Sequence, residues 1–335
     1  MVTRVAINGF GRIGRGFLRA ALANPDVEIV ALNDLVPPAT NAHLLKYDST
    51  QGVLDQNVRV SENELHVGSY AIKVFAERNP ADLPWGELGI DVVVESTGIF
   101  TTHAAASAHL EAGAKRVIIS APSGDADATF VMGVNEDTFD ATKDFVISNA
   151  SCTTNCFVPM VKVLDDAFGI DAGLMTTIHA YTNDQNLLDL AHKDLRRARA
   201  AALNIVPAST GAARATSLVL SSMKGRLDGT SLRVPIPVGS ITDFTAIVRS
   251  TSVEEINATF KAASEGALQG ILVYTDEPIV SSDIVGSPAS CTFDSLMTMV
   301  QPIDEAKCLV KVFGWYDNEW GYSNRLVDLA RHVGR

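Results

Sequence analysis

Asn8-Gly9-Phe10-Gly11-Arg12-Ile13-Gly14 is the stretch that decides the fold. Residues 3–8 before it read as a short apolar strand. After it a helical pattern runs through Phe17, Leu18, Ala21 and Leu22 and stops at Asn24-Pro25. A second strand, Val27 to Leu32, ends at Asn33-Asp34, with Asp34 twenty residues after Gly14. In such a strand–glycine loop–helix–strand–acid unit each piece has a physical task. Gly9 allows the tight turn, Gly11 lets backbone approach a pyrophosphate, and Gly14 lets helix and strand pack closely. The helix N-terminus, with Arg12 and Ile13 in its first turn, receives the phosphates. The carboxylate of Asp34 accepts hydrogen bonds from ribose hydroxyls and repels a 2′-phosphate, which favours NAD over NADP. A glycine motif alone is weak; the flanking strand, helix and acid are the context that gives it meaning.

The alternation continues. Asp91 to Glu95 reads as a buried parallel strand ending in Ser96-Thr97-Gly98. Ligands of such sheets gather beyond the carboxyl ends of strands, so these three residues are candidate cofactor contacts. Thr101 or Thr102 caps a helix through Leu110, which Gly113 stops. Val117-Ile118-Ile119-Ser120 and Phe145 to Ser148 are further short strands. The second of these leads into Asn149-Ala150-Ser151-Cys152-Thr153-Thr154-Asn155-Cys156, a cysteine among hydroxyls and amides where a helix begins. A helix N-terminus carries partial positive charge and unpaired N–H groups, and a thiol placed there ionises more readily.

Beyond residue 150 the strands lengthen and follow one another: Leu174 to Tyr181, Ser231 to Pro237, Thr242 to Arg249 and Lys307 to Tyr316. Helices run from Thr153 to about Ala167, after Ser209-Thr210-Gly211, and after Ser252, which with Glu255 forms a capping box. Asn318 to Val333 reads helical again. The expectation is an α/β Rossmann dinucleotide-binding domain over residues 1–150, completed by 318–335. It is joined to an α+β catalytic domain over 151–317, mainly antiparallel, with helices on one face. Residues 182–206 lack strand character; the cations Lys193, Arg196, Arg197 and Arg199 there read as a solvated or subunit-facing loop.

Composition narrows the function. The chain has 335 residues, 47% of them apolar and 20% charged, with a net charge of −12. That is a globular chain with a core, and its acidity argues against nucleic acid or an anionic membrane as the main partner. Four cysteines without a Cys-x-x-Cys pair suggest neither a disulfide scaffold nor a zinc site, and no metal is expected. The start of the chain enters a strand directly, without a signal-peptide pattern, and no apolar run is long enough for a transmembrane helix. A cytoplasmic protein is expected.

Together these motifs resemble the phosphorylating, glycolytic glyceraldehyde-3-phosphate dehydrogenases over essentially the whole chain. The resemblance rests on residues 8–14 and 150–156 and on His179-Ala180-Tyr181-Thr182. It extends to Asp194-Leu195-Arg196-Arg197-Ala198-Arg199, Ser209-Thr210-Gly211-Ala212-Ala213 and Trp315 to Ser323. It implies that Cys152 attacks the aldehyde of glyceraldehyde 3-phosphate and that His179 is the base. It further implies that Ser151, Thr153, Thr210 and Gly211 hold inorganic phosphate, and that Thr182 and Arg233 hold the substrate's own phosphate. Asn318 and Tyr322 match residues at the nicotinamide, and Arg78 and Ser120 match weaker cofactor contacts. The resemblance also implies a homotetramer. Cys156, Cys291 and Cys308 are read as packing residues, although the spacing of Cys156 from Cys152 leaves a bridge under oxidant open. One departure stands out: Leu190-Ala191-His192 keeps the leucine that excludes a 2′-phosphate but lacks the proline that NAD-preferring members carry after it.

Three alternatives remain at this level. Erythrose-4-phosphate dehydrogenase shares the thiol segment but lacks the Thr-Gly-Ala-Ala loop present here as Thr210 to Ala213; aspartate-semialdehyde dehydrogenase shares only the thiol logic. A binding protein with incidental catalysis is the alternative from another class.

Overall fold

The computed structural model describes residues Val2–Arg335. The chain forms two compact units. One runs to Ser151 and takes back Ser323–Arg335; the other is Cys152–Tyr322. The division falls inside the last helix, Trp320–Val333, so its first turn belongs to the second unit.

The first unit is built on a nine-stranded sheet. Its central strand, Thr3–Asn8, pairs in parallel with Val27–Asn33 on one side and Val92–Glu95 on the other. The chain order thus reverses at this strand, and its carboxyl end faces a crevice between two outgoing connections. Arg116–Ile119, Val146–Ser148 and Ala128–Thr129 extend the parallel sheet on the Val92–Glu95 side. Val92, Val93 and Val94 are wholly buried, as a strand covered on both faces must be. Thr102, rather than Thr101, caps the following helix by accepting from the Ala105 N–H, and Gly113 at φ +96° closes the segment. On the opposite edge the chain adds Tyr70–Phe75 and an antiparallel pair, Val58–Ser61 with Glu64–Val67. That edge and the helix Pro38–Lys46 lie in a stretch whose mixed polarity the sequence reading leaves undivided.

The second unit carries an eight-stranded, mainly antiparallel sheet. Lys307–Tyr316 has the bounds expected, whereas the strand expected at Ser231 to Pro237 is Leu227–Val234. Pro235 and Pro237 have no N–H to donate and end it early. This strand runs parallel to Ile170–Ala180, setting His179 opposite Arg233. Helix Cys152–Phe168 lies on the sheet, with every residue from Thr153 to Val161 buried and Phe157 meeting Phe244 edge-on at 4.9 Å. A helix apolar nearly all round belongs inside a domain. It settles this closely because the facing position is Gly314: a Cβ there would strike the Met160 sulfur and come within 2.6 Å of the Cys291 sulfur. Cys156, Cys291 and Cys308 are buried and free, consistent with packing. The capping box of helix Val253–Glu265 forms as expected, Ser252 and Glu255 each accepting from the other's N–H. Among the described residues no helix is long and apolar enough to cross a membrane.

Candidate active site

In the first unit a cleft of about 460 Å³ opens at the carboxyl ends of the three central strands. Gly9, Gly11, Asp34, Arg78, Ser96 and Thr97 are among its lining residues. Gly9 sits at φ +89°, and a Cβ there would lie 2.6 Å from the Thr97 nitrogen. A Cβ on Gly14 would collide with the carbonyl of Gly9, whereas one on Gly11 would meet open space. The three glycines therefore do different work, as expected: turn, open floor and close packing. Asp34 is held by two backbone donors, Phe10 N–H at 2.6 Å and Val36 N–H at 2.8 Å. A fixed carboxylate at the rim, an open glycine floor and a helix start at Arg12 fit a dinucleotide.

Other expected cofactor residues are placed less directly. Phe10 is buried, and Ile13 lies within the first turn of the helix Arg12–Ala21. The Arg12 guanidinium is engaged with Asp48 at 2.9 and 3.1 Å. Burial would raise the Asp48 carboxyl, but the Arg12 hydrogen bonds and the Thr50 and Gln51 N–H groups hold it well below the usual range. The Ser96 hydroxyl faces the Gly9 carbonyl at 2.7 Å, bracing the loop. Gly98, at φ +73°, and Ser120 are not among the residues lining the cleft.

The second unit assembles the thiol site. The strand Val146–Ser148 ends one turn before the helix that starts at Cys152. Between them Ala150 is forced to φ +55°, a left-handed conformation costly for any residue with a Cβ. Cys152 is half-buried, its sulfur 3.4 Å from Nε2 of His179. His179 Nδ1 lies 2.6 Å from the Ala180 carbonyl and 3.1 Å from Arg233 Nη1; the closer partner is an acceptor, which places the proton on Nδ1 and leaves the Nε2 lone pair facing the thiol. Arg233 Nη1 donates to the Ala180 carbonyl at 3.1 Å and to the Thr182 hydroxyl at 3.3 Å.

The electrostatics differ from the sequence expectation. Burial pushes the Cys152 thiol up to about 11, against the opposing pull of Arg233 and of the Thr153 N–H and hydroxyl. Burial, then the Arg233 cation, push His179 down to about 3. The helix terminus alone does not set the thiol's ionisation, because packing removes the water that would solvate a thiolate. Both shifts run against the charged forms, favouring thiol over thiolate and imidazole over imidazolium.

Of the expected phosphate residues, Thr153 is buried with its hydroxyl on Tyr316 Oη at 2.9 Å. Ser151 precedes the nucleophile and is half-buried. Thr210 accepts from the Ala212 N–H at 3.2 Å and leads, through the exposed Gly211, into helix Ala212–Val219. Asn318 is oriented by Ser240, whose hydroxyl donates to Oδ1 at 3.0 Å and also accepts from the Ala180 N–H. Tyr322 is buried in the first turn of the last helix.

Three neighbours escape sequence reasoning. The Tyr316 hydroxyl bridges Thr153 and Thr177, and its ring meets His179 edge-on. Ser240 orients Asn318. Arg197, expected in a solvated or subunit-facing loop, is mostly buried within the single chain, paired with Asp184 at 2.5 Å and donating to the Ser209 carbonyl beside Thr210. A strand-end tyrosine, a serine and one arginine among four cations carry no signal until their neighbours are known.

Comparison with known proteins agrees with this geometry. Residues 3–103 match the NAD binding domain and residues 151–318 the C-terminal domain of glyceraldehyde 3-phosphate dehydrogenase. The chain is 62% identical over its whole length to glyceraldehyde-3-phosphate dehydrogenase 2 of Streptomyces avermitilis, covering 99% of that protein. It is 62% identical to the glyceraldehyde-3-phosphate dehydrogenase of Streptomyces coelicolor and 61% to that of Mycobacterium avium, again over all of this chain and 99% of each relative. The chain belongs to the glyceraldehyde-3-phosphate dehydrogenase family.

Proposed function

We propose that this chain oxidises glyceraldehyde 3-phosphate to 1,3-bisphosphoglycerate with inorganic phosphate and NAD, in glycolysis. The observation that carries the proposal is the Cys152 sulfur 3.4 Å from an imidazole nitrogen whose other nitrogen is tied to backbone. His179 Nε2 takes the thiol proton as sulfur attacks the aldehyde carbon and hands it to the new alkoxide oxygen, giving a hemithioacetal and a neutral ring again. The same ring then accepts the hemithioacetal hydroxyl proton as that carbon is oxidised to the thioester. NAD, when bound, supplies the hydride acceptor. Phosphate attacks the thioester carbonyl, and Cys152 leaves as the thiolate. Arg233 and Thr182 hold the substrate's phosphate; Ser151, Thr153, Thr210 and Gly211 hold the attacking one, with Arg197 bracing the carbonyl of Ser209. Because the Thr153 hydroxyl is occupied by Tyr316, its share falls to the backbone N–H at the helix start.

Gly9, Gly11, Gly14 and Asp34 form the centre of the NAD site, with Phe10, Arg12, Ile13, Arg78, Ser96, Thr97, Gly98 and Ser120 around them and Asn318 and Tyr322 toward the nicotinamide. Asp34 sets the preference for NAD despite Ala191; equal efficiency with NADP would sink this assignment. A homotetramer is supported by six large apolar side chains exposed between Leu187 and Ile205, each at least 65% accessible in the single chain. Light scattering at monomer mass would overturn it.

The deciding test follows NADH formation from glyceraldehyde 3-phosphate with and without inorganic phosphate, with erythrose 4-phosphate as competitor. Phosphate-dependent turnover of the triose is expected. Phosphate-independent turnover, or preference for the tetrose, would make hydrolysis of the thioester the chemistry.

A further inference from the structure

We infer that Glu95 and His109 are positioning residues for the dinucleotide, acting through Thr97 and Asn8. The inference rests on reading the cleft of the first unit as the NAD site. Glu95 ends the strand Val92–Glu95 and is 2% exposed; His109 is wholly buried. The Trp85 indole N–H points at His109 Nδ1 at 3.0 Å. An indole can only donate, so Nδ1 is the acceptor and the ring proton sits on Nε2. That N–H donates to Glu95 Oε2 at 3.0 Å, and the same oxygen accepts from Asn8 Nδ2 at 2.5 Å. Glu95 Oε1 accepts from both the Thr97 N–H, at 2.8 Å, and the Thr97 hydroxyl. Both carboxylate oxygens are therefore saturated by donors, although its ion partner among the described residues is an imidazole.

The network reaches further. Asn33 Nδ2 donates to Asn8 Oδ1 at 2.8 Å and to the Glu77 carbonyl, while Asn33 Oδ1 accepts from the Glu77 N–H. One chain of side chains thus joins the ends of all three strands at the switch point to the turns carrying Thr97 and Arg78. Asn8, Asn33, Glu77, Arg78 and Thr97 all line the cleft; Glu95, His109 and Trp85 lie behind that wall. Three valines precede Glu95 in its strand. A buried carboxylate–imidazole pair is poor value for stability against an apolar pair of the same size. It does fix the direction of every donor it binds. What it fixes here is the cleft wall.

The test compares Glu95→Gln, His109→Asn and Trp85→Phe in the full-length protein. Glu95→Gln puts an amide N–H₂ against donors. Trp85→Phe removes the indole N–H that sets the tautomer, together with part of a wholly buried ring, and leaves the carboxylate–imidazole pair itself in place. NAD binding is measured first, by quenching of protein fluorescence without substrate; a wild-type protein that does not bind NAD defeats the cofactor reading rather than this one. The inference expects Kd and KM for NAD to rise about tenfold in Glu95→Gln, the change that unmaking one buried hydrogen bond brings. His109→Asn should rise less and Trp85→Phe least, with KM for the triose phosphate within about threefold of wild type in each. Lowered melting temperatures with unchanged NAD affinity in every folded variant would leave only a structural pair and overturn it. Equal rises in KM for NAD and for the triose would do the same.

Discussion

The glycine loop and the thiol turn solve the same problem differently. Each takes the chain from the carboxyl end of a parallel strand into the N-terminus of a helix, and each needs a left-handed residue to do so. The loop uses Gly9 at φ +89°, where no Cβ is present to clash. The turn uses Ala150 at φ +55°, buried, with its N–H on the Ser148 hydroxyl at 3.0 Å. The first is relaxed and leaves open space at Gly11, on the floor of the cleft. The second is strained and holds a side chain against a base 3.4 Å away. Glycine makes room; alanine in the same region stores strain that surrounding packing must hold.

Four substitutions break or sharpen that contrast. Cys152→Ser should cost the largest effect, at least about a thousandfold in turnover. Its stability should stay within about 1 kcal/mol of wild type, because the oxygen fits where the sulfur was. NADH formation and a urea melt check both halves. Gly9→Ala comes next. Its Cβ adds roughly 1–2 kcal/mol of left-handed strain and about 1–3 kcal/mol of overpacking on Thr97. Expected are a lower melting temperature and weakened NAD binding; a wild-type melt would show that the loop is not as closely packed as its geometry states.

His179→Asn tests the neutral pair. A thiol raised to about 11 is almost wholly protonated at pH 7. Without the base its thiolate fraction grows about tenfold per pH unit until that value is reached. Iodoacetamide labelling of Cys152 should therefore be about a hundredfold slower than wild type at pH 7, with the gap closing as pH rises. Parallel profiles for the two proteins would remove His179 from the reaction. Ala150→Gly has the smallest effect. Relief of about 1–2 kcal/mol of strain is nearly offset by about 0.5–1 kcal/mol of glycine entropy, so the protein should be unchanged or slightly more stable. Turnover should fall severalfold as the thiol loses its fixed approach. A clear loss of stability would mean that Ala150 is not strained.

The two regions were not equally legible. Gly9, Gly14 and Asp34 could be read at their spacing because a left-handed turn and a close helix–strand contact each demand glycine, and a ribose site demands a nearby acid. Cys152 could be read as a residue at a helix start, but not as a half-buried thiol whose ionisation packing opposes. Arg233 looked like an ordinary strand charge until the parallel pairing set it beside His179, because strand direction leaves no trace in an apolar pattern. Arg197 looked solvated because a run of cations says nothing about which of them meets a carboxylate. Glu95 and His109 were passed over for the same reason: a glutamate ending a valine run and a histidine on a short helix carry no signal until Trp85, Asn8 and Thr97 surround them.

What the sequence determined by itself is therefore local: the strand–loop–helix unit, the capping box at Ser252, the nucleophile's segment and the class of cofactor, each set by backbone sterics and short spacings. The tertiary structure alone decided which distant side chains meet. It set His179 against Cys152 and Arg233, Tyr316 between Thr153 and Thr177, and Glu95 beneath Thr97. It also set the direction in which the thiol and the imidazole shift, because desolvation depends on everything packed around a group and not on its neighbours in the chain.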